Sequence, residues 1–248
     1  MRWVYLSPHF DDVVLSCGGL VWDQVRAGAT VEVWTVCAGS PPAGEPLSDF
    51  ALSLHERWDT GSQAAEARRA EDRQALAHLG AVPAYYDLPD CIYRRLPGGS
   101  WLVNSEEDLW QPVHPLETGL VQRLAAWLQR ELTPDDQLVS PLTLGNHVDH
   151  FLTRAAAEEA ALRGGCALAY YADYPYAVEP RSDLAGKLQP GWRKECRDLS
   201  LPSLRAWQSA TASYTSQIST FWDGRAGLDA ALEEYWQSGG GSCLWFPH

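Results

Sequence analysis

Over the first two thirds of the chain, short apolar runs of β type alternate with stretches of helical period. Residues 3–6 (WVYL) form the first run, stopped by Ser7-Pro8, and residues 30–37 (TVEVWTVC) form a β-branched second, with charge only at Glu32. Between them Leu20, Val21, Val25 and Ala27 recur at helical spacing over 18–28 and end on a glycine. The same reading predicts strands at 84–88, 137–140 and 167–171. It predicts helices at 63–79 with Gly80 as stop, from His114-Pro115 through Leu132, and at 146–163. Residues 38 to about 62, broken by Pro41, Pro42, Gly44 and Pro46, read as a long polar loop, and a Pro/Gly-rich loop leads to about His114.

Alternation of this kind predicts an α/β fold, a Rossmann-like, mostly parallel sheet with helices on both faces. Beyond about Asp173 proline, tryptophan and charge mix irregularly, with helical stretches near 204–218 and 226–236. The expected organisation is a single domain over 1–248. It comprises an α/β core at 1–175 and an irregular C-terminal extension at 176–248 packed on the sheet.

Two segments carry chemistry. Ser7-Pro8-His9-Phe10-Asp11-Asp12 follows the first strand, and Gly145-Asn146-His147-Val148-Asp149-His150 follows the strand at 137–140. In an open parallel sheet, residues just past the strand ends share one edge, where ligands bind, so both segments are expected to face one crevice. Imidazole and carboxylate are good zinc ligands, and a catalytic zinc takes three protein ligands and leaves a position for water. His9, Asp12 and one histidine of the second segment supply such a set. His147 and His150, three apart at a helix start, share a face, and only one of them need bind the metal. A carboxylate such as Asp11 then serves as general base, and the second histidine stabilises an oxyanion or donates a proton. The same nitrogen and oxygen donors also suit iron(II). Each segment alone has a plainer use, since aspartate and asparagine commonly cap helices.

Bulk properties narrow the partners. The net charge is −13, the pI is near 4.9, and no basic run occurs, which excludes a nucleic-acid partner that binds through its phosphates. No apolar run approaches the ~20 residues that span a bilayer, and the first residues lack the apolar core of a signal peptide, so a cytoplasmic protein is expected. The sequence carries no signal for oligomeric state. The six cysteines are scattered without a CxxC pair and are expected as buried free thiols, none a metal ligand. His55, His78 and His114 read as surface or loop residues. Arg68 and Glu71, three apart on a charged helix, read equally well as a solvated ion pair. Most of the twelve tryptophans are assigned to packing.

SPHFDDVVLSCGG resembles the (A/S)-P/H-x-D-D motif of PIG-L/LmbE-like deacetylases, and NHVDH resembles their H-x-D-H motif. The segment 66–80 (EARRAEDRQALAHLG) is similar to the arginine-containing helix of that family, and the likeness covers roughly the first 175 residues. The resemblance implies a zinc-dependent hydrolase that removes an acetyl group from an amino sugar or small-molecule sugar conjugate, with N-acetylglucosamine as the type sugar. It implies His9, Asp12 and His150 as zinc ligands, Asp11 as general base and His147 as partner of the tetrahedral intermediate. Asp149 would orient an imidazole, and Arg68 would contact the substrate. Phe10 and Val13 depart from the commoner H-P-D-D-E, and Val148 stands where proline is usual. No proposed ligand is lost. Two alternatives stand beside this reading: a zinc amidase acting on a non-sugar amide, and a Rossmann-like nucleotide-sugar-binding transferase. Against the latter, the first turn carries two carboxylates where G-x-G-x-x-G would cradle a pyrophosphate.

Overall fold

The structure is a computed structural model and describes residues 1–59, 63–180 and 182–247. β1 (Arg2–Ser7) lies at its centre because its side chains alternate between two buried faces: Val4 and Leu6 enter one core, Tyr5 the other. In chain order follow α1 (Asp12–Arg26), β2 (Thr30–Thr35), α2 (Asp49–Arg57), α3 (Ala64–Leu79) and β3 (Val82–Tyr85). Next come α4 (Thr118–Glu131), β4 (Gln137–Pro141), α5 (Val148–Gly164) and β5 (Ala167–Tyr171). The C-terminal part adds α6 (Leu184–Lys187), β6 (Arg193–Cys196), α7 (Leu201–Thr211), α8 (Thr215–Phe221), α9 (Gly224–Gln237) and β7 (Cys243–Phe246).

The seven strands of the described residues form one sheet in the order β3-β2-β1-β4-β5-β7-β6. The first five are parallel, while β7 runs antiparallel to both β5 and β6. Strand order reverses between β1 and β4, and the crevice beyond their carboxyl ends is where such sheets bind ligands. α1, α3, α7 and α9 pack against one face, and α4 and α5 against the other.

α1 begins at Asp12, six residues before the helical spacing starts. Its first turns carry β-branched Val13 and Val14 and then Gly18-Gly19, poor helix formers that hide the period. Packing requires Gly18, since a Cβ there would lie 2.6 Å from Trp207 Cδ1 of α7. Within the expected loop at 38–62, α2 forms behind an N-cap, the Ser48 side chain accepting from Ala51 N–H; the last three positions of that expected loop, 60–62, lie outside the described residues. β3 lies slightly earlier than 84–88, and the helical stretch 204–218 is divided between α7 and α8.

Two expectations need correction. Cys196 and Cys243 face each other across β6 and β7 and are disulfide-bonded, so the cysteines are not all thiols; Cys17, Cys37, Cys91 and Cys166 are free and buried. His55 is not a surface residue. It is buried, with its Nε2 2.6 Å from the Tyr93 hydroxyl. His78 is exposed, and His114 Nδ1 accepts from Leu116 N–H at a helical turn. Among the described residues no helix is long and apolar enough to cross a membrane.

Candidate metal centre and active site

The loop from β1 to α1 is tied by its own side chains. Asp12 Oδ2 accepts from His9 N–H at 2.7 Å and Ser7 Oγ from Val13 N–H at 3.2 Å, which fixes His9 and both aspartates beyond the strand end. The loop after β4 delivers the second segment through the N-cap of α5. There His147 Nδ1 accepts from Asp149 N–H at 3.2 Å, so the ring proton sits on Nε2. Burial, with His9 next to it, lowers the pKa of His147 well below the usual histidine value and keeps it neutral.

The two segments meet. Asp12 stands between two imidazoles, Oδ2 3.3 Å from His9 Nδ1 and Oδ1 3.3 Å from His150 Nε2. Donor atoms of His9, His147 and His150 all lie within 4.8 Å of one another. Ligands at about 2.0–2.2 Å in a tetrahedral shell stand roughly 3.3–3.5 Å apart, the separation of Asp12 from each imidazole, although the two contacts use different carboxylate oxygens; the three histidines, with Asp12 between two of them, form a cluster of metal-binding donors. Each outer ring nitrogen is held by a carboxylate: His9 Nε2 lies 3.1 Å from Asp149 Oδ2, and His150 Nδ1 2.7 Å from Asp173 Oδ1. Carboxylates in that position fix the tautomer and orientation of metal-binding histidines.

Asp11 borders the same cavity, which has a volume of about 370 Å³. Burial raises its pKa although the Arg68 guanidinium, with Nη2 3.2 Å from Asp11 Oδ1, pulls it back. Arg68 is buried and lies over the Trp58 ring at 4.9 Å and the Phe10 ring at 5.8 Å. It does not form the solvated pair with Glu71, whose carboxylate instead accepts from Thr215 and Ser216 of α8. Phe50, Trp58, Trp110, Tyr176 and Phe221 give the cavity aromatic walls, with Asp90, Glu106 and Glu179 among its polar lining.

Sequence reasoning missed several groups. Asp173 lies two residues past the end of β5, so the strand-end argument that singled out the other loops applies to it as well. Asp90 lies with its Oδ2 3.7 Å from His9 Nε2, in a segment read only as loop. Arg94 reaches Asp149 from the same loop, 2.7 Å from Nη2 to Oδ1, and nothing local in the sequence announces that contact.

The family model for GlcNAc-PI de-N-acetylase, PIG-L, matches residues 4–161. The chain belongs to the PIG-L family. This PIG-L protein is 32% identical over 205 residues to a 2'-N-acetylparomamine deacetylase of Niallia circulans, covering 77% of this chain and 72% of that one. Its fold is similar to that of a teicoplanin deacetylase solved in a zinc-inhibited form, with a TM-score of 0.80 at 27% identity, covering 99% and 97% of the two chains. An A40926 pseudoaglycone deacetylase superposes with a TM-score of 0.73 at 28% identity, covering 99% and 96%. Family and relatives together put this PIG-L protein among the N-deacetylases, hydrolases that cut an amide on an amino sugar.

Proposed function

We propose that this chain is a zinc hydrolase that removes the acetyl group from an N-acetylglucosamine-type residue of a sugar-bearing small molecule. The observation that carries the proposal is the Asp12 carboxylate between His9 and His150 at 3.3 Å each, with Asp11 and His147 lining the same cavity. His9, Asp12 and His150 hold the metal, with Asp149 and Asp173 orienting the two imidazoles. Bound there, zinc supplies a water of pKa lowered toward ~7 and an electrophile for the amide carbonyl.

Asp11 takes the proton of the attacking water and passes it to the departing amine, and burial, by raising its pKa, helps it hold that proton. His147, neutral with its proton on Nε2, donates a hydrogen bond to the oxygen on which negative charge develops. Arg68 holds Asp11 and, from the cavity wall, contacts a polar part of the substrate. The aromatic walls suit the flat apolar faces of a sugar ring. The whole chain acts as one catalytic domain, since Gln217 and Phe221 of α8 close the cavity that the N-terminal loops begin.

Metal content measured together with acetate release from a panel of N-acetylglucosamine conjugates tests the proposal. About one zinc per chain with chelator-sensitive release is the expected result. Metal without release from any sugar would move the reaction to another amide, and failure to bind metal under any reconstitution would sink the proposal.

A further inference from the structure

The loop between β3 and α4 contains a buried cation with no place in the chemistry above. Arg94 is 7% exposed, and its guanidinium is engaged on every side. Nε donates to Glu117 Oε1 at 2.7 Å and Nη2 to Glu117 Oε2 at 3.2 Å, a two-pronged grip on the residue that precedes α4. Nη1 donates to the Pro89 carbonyl at 3.1 Å. Nη2 also lies 2.7 Å from Asp149 Oδ1. The other oxygen of Asp149 meets His9 Nε2 at 3.1 Å and accepts from Cys91 N–H at 3.0 Å.

A continuous line of contacts therefore runs from α4 through Glu117, Arg94 and Asp149 to His9. Its links come from four separate parts of the chain, and all but His9 are buried. We infer that Arg94, anchored by Glu117, is a positioning residue of the metal centre: it fixes the plane of the Asp149 carboxylate and, through it, the His9 imidazole. The inference rests on the metal-site reading proposed above.

The physical argument is one of rotation. A carboxylate held by one oxygen can swing about its Cβ–Cγ bond; Asp149 is hydrogen-bonded through Oδ2 alone, and the Arg94 charge, an ion pair 2.7 Å from Oδ1 without hydrogen-bond alignment, is what restrains the other oxygen. Its neighbours other than Arg94 include the His9 and His147 rings, the Cys91 N–H and thiol and the buried Cys37 thiol, and none of these is a permanent cation. A lysine could return the charge at position 94 but not the planar fork that reaches Glu117 and Asp149 together. Partners that orient metal-binding histidines are typically worth 10–100-fold in metal affinity, and Arg94 is the group that holds such a partner still.

Zinc dissociation constants from competition with a chromophoric chelator test this on full-length protein, at a temperature where circular dichroism shows each variant folded. Arg94→Met is expected to weaken zinc binding by about 10–100-fold and Arg94→Lys to recover part of that loss. Leu128→Ala, which opens a cavity in α4 away from Asp149, lowers the melting temperature and should leave zinc affinity unchanged, separating positioning from general loosening. Should Arg94→Met fail to fold, Glu117→Gln carries the test, with several-fold weaker binding expected. Zinc affinity within twofold of wild type in a folded Arg94 or Glu117 variant overturns the inference. Wild-type protein that binds no zinc removes the metal-site reading and this inference with it, while wild-type binding with unchanged variants removes this inference alone.

Discussion

Asp149, in the first turn of α5, and Asp72, midway along α3, both have no exposed surface. Burial raises the pKa of any carboxyl group, so both begin with the same handicap. For Asp149 the Arg94 charge and the hydrogen bond to His9 outweigh burial and hold the pKa well below the usual carboxylate range. Among the described residues Asp72 has only hydroxyl hydrogen-bond partners, Tyr85 donating to Oδ2 at 2.9 Å and Tyr214 lying 2.8 Å from Oδ1. Arg68 and Asp11 act on it from a distance with opposite signs, burial prevails, and its pKa is pushed up to about 7. The state of a buried aspartate is thus set by whether a cation was buried with it. Here the ionised one faces the proposed metal site, and the one readily protonated stands behind the loop that carries Phe10 and Asp11.

Removing the cation breaks the contrast most strongly. Arg94→Ala strands Asp149 and Glu117 as uncompensated buried charges, and metal-free protein should lose about 3–5 kcal/mol in urea denaturation. A loss below about 1 kcal/mol would mean that water reaches these carboxylates freely.

Asp72→Asn tests the other side. In the folded wild type Asp72 keeps its proton up to about pH 7, whereas in the unfolded chain it loses it near 4. Between those values the unfolded state binds fewer protons, so the contribution of Asp72 to stability is full below about pH 4 and lost by about pH 7, at most about 4 kcal/mol. Asparagine mimics the protonated acid, with an amide to donate and a carbonyl to accept. The variant should match wild type at pH 5, exceed it at pH 8, and show a flatter dependence between them. Parallel stability curves would place Asp72 among ordinary ionised carboxylates.

The two aspartates were also unequally legible in the sequence. Asp149 lies in a segment that the strand-end argument finds, because β1 and β4 are apolar runs with sharp polar ends. Asp72 hides in RRAEDRQ, which reads as a solvated face. Yet Ala64, Arg68, Asp72, Ala75, Leu76 and Leu79 fall on one stripe of α3, and that stripe is the buried one. Following the helical period through the charged residues would have turned Arg68 and Asp72 inward. No comparable signal existed for β6, whose Arg193-Lys194-Glu195 is an exposed edge, or for β7, a four-residue strand after a glycine run. The Cys196–Cys243 bond depends on the register of those two strands and was hidden with them. The contact of Arg94 with Asp149 spans two loops and is decided by tertiary packing alone.

Replacing a charge by its isostere sharpens the contrast on the metal side. Asp149→Asn keeps the shape of the His9 partner but offers a weaker acceptor, and zinc affinity should fall about 10–100-fold, or about 1.4–2.7 kcal/mol. The same change at Asp72 should leave zinc affinity within about twofold, because Asp72 touches no proposed ligand. Equal effects at the two sites would show that zinc binding responds to fold stability in general.

Tyr214→Phe carries the smallest expected effect and bears most directly on the protonation of Asp72. The Tyr214 hydroxyl lies 2.8 Å from the Phe10 carbonyl oxygen and 2.8 Å from Asp72 Oδ1, and it has one proton. If that proton goes to Phe10, the contact with Asp72 is a hydrogen bond only when Asp72 is the donor. Above pH 7 the ionised carboxylate and the Phe10 carbonyl compete for a single hydrogen. Losing the hydroxyl should therefore cost about 1–2 kcal/mol at pH 5, where both bonds are made, and less at pH 8, where one already is not. Phe10 adjoins Asp11, so loosening its carbonyl should also lower kcat a few-fold while zinc content stays constant. A stability loss equal at the two pH values would show that Asp72 does not donate to Tyr214, and the tyrosine would then be a tether for the catalytic loop alone.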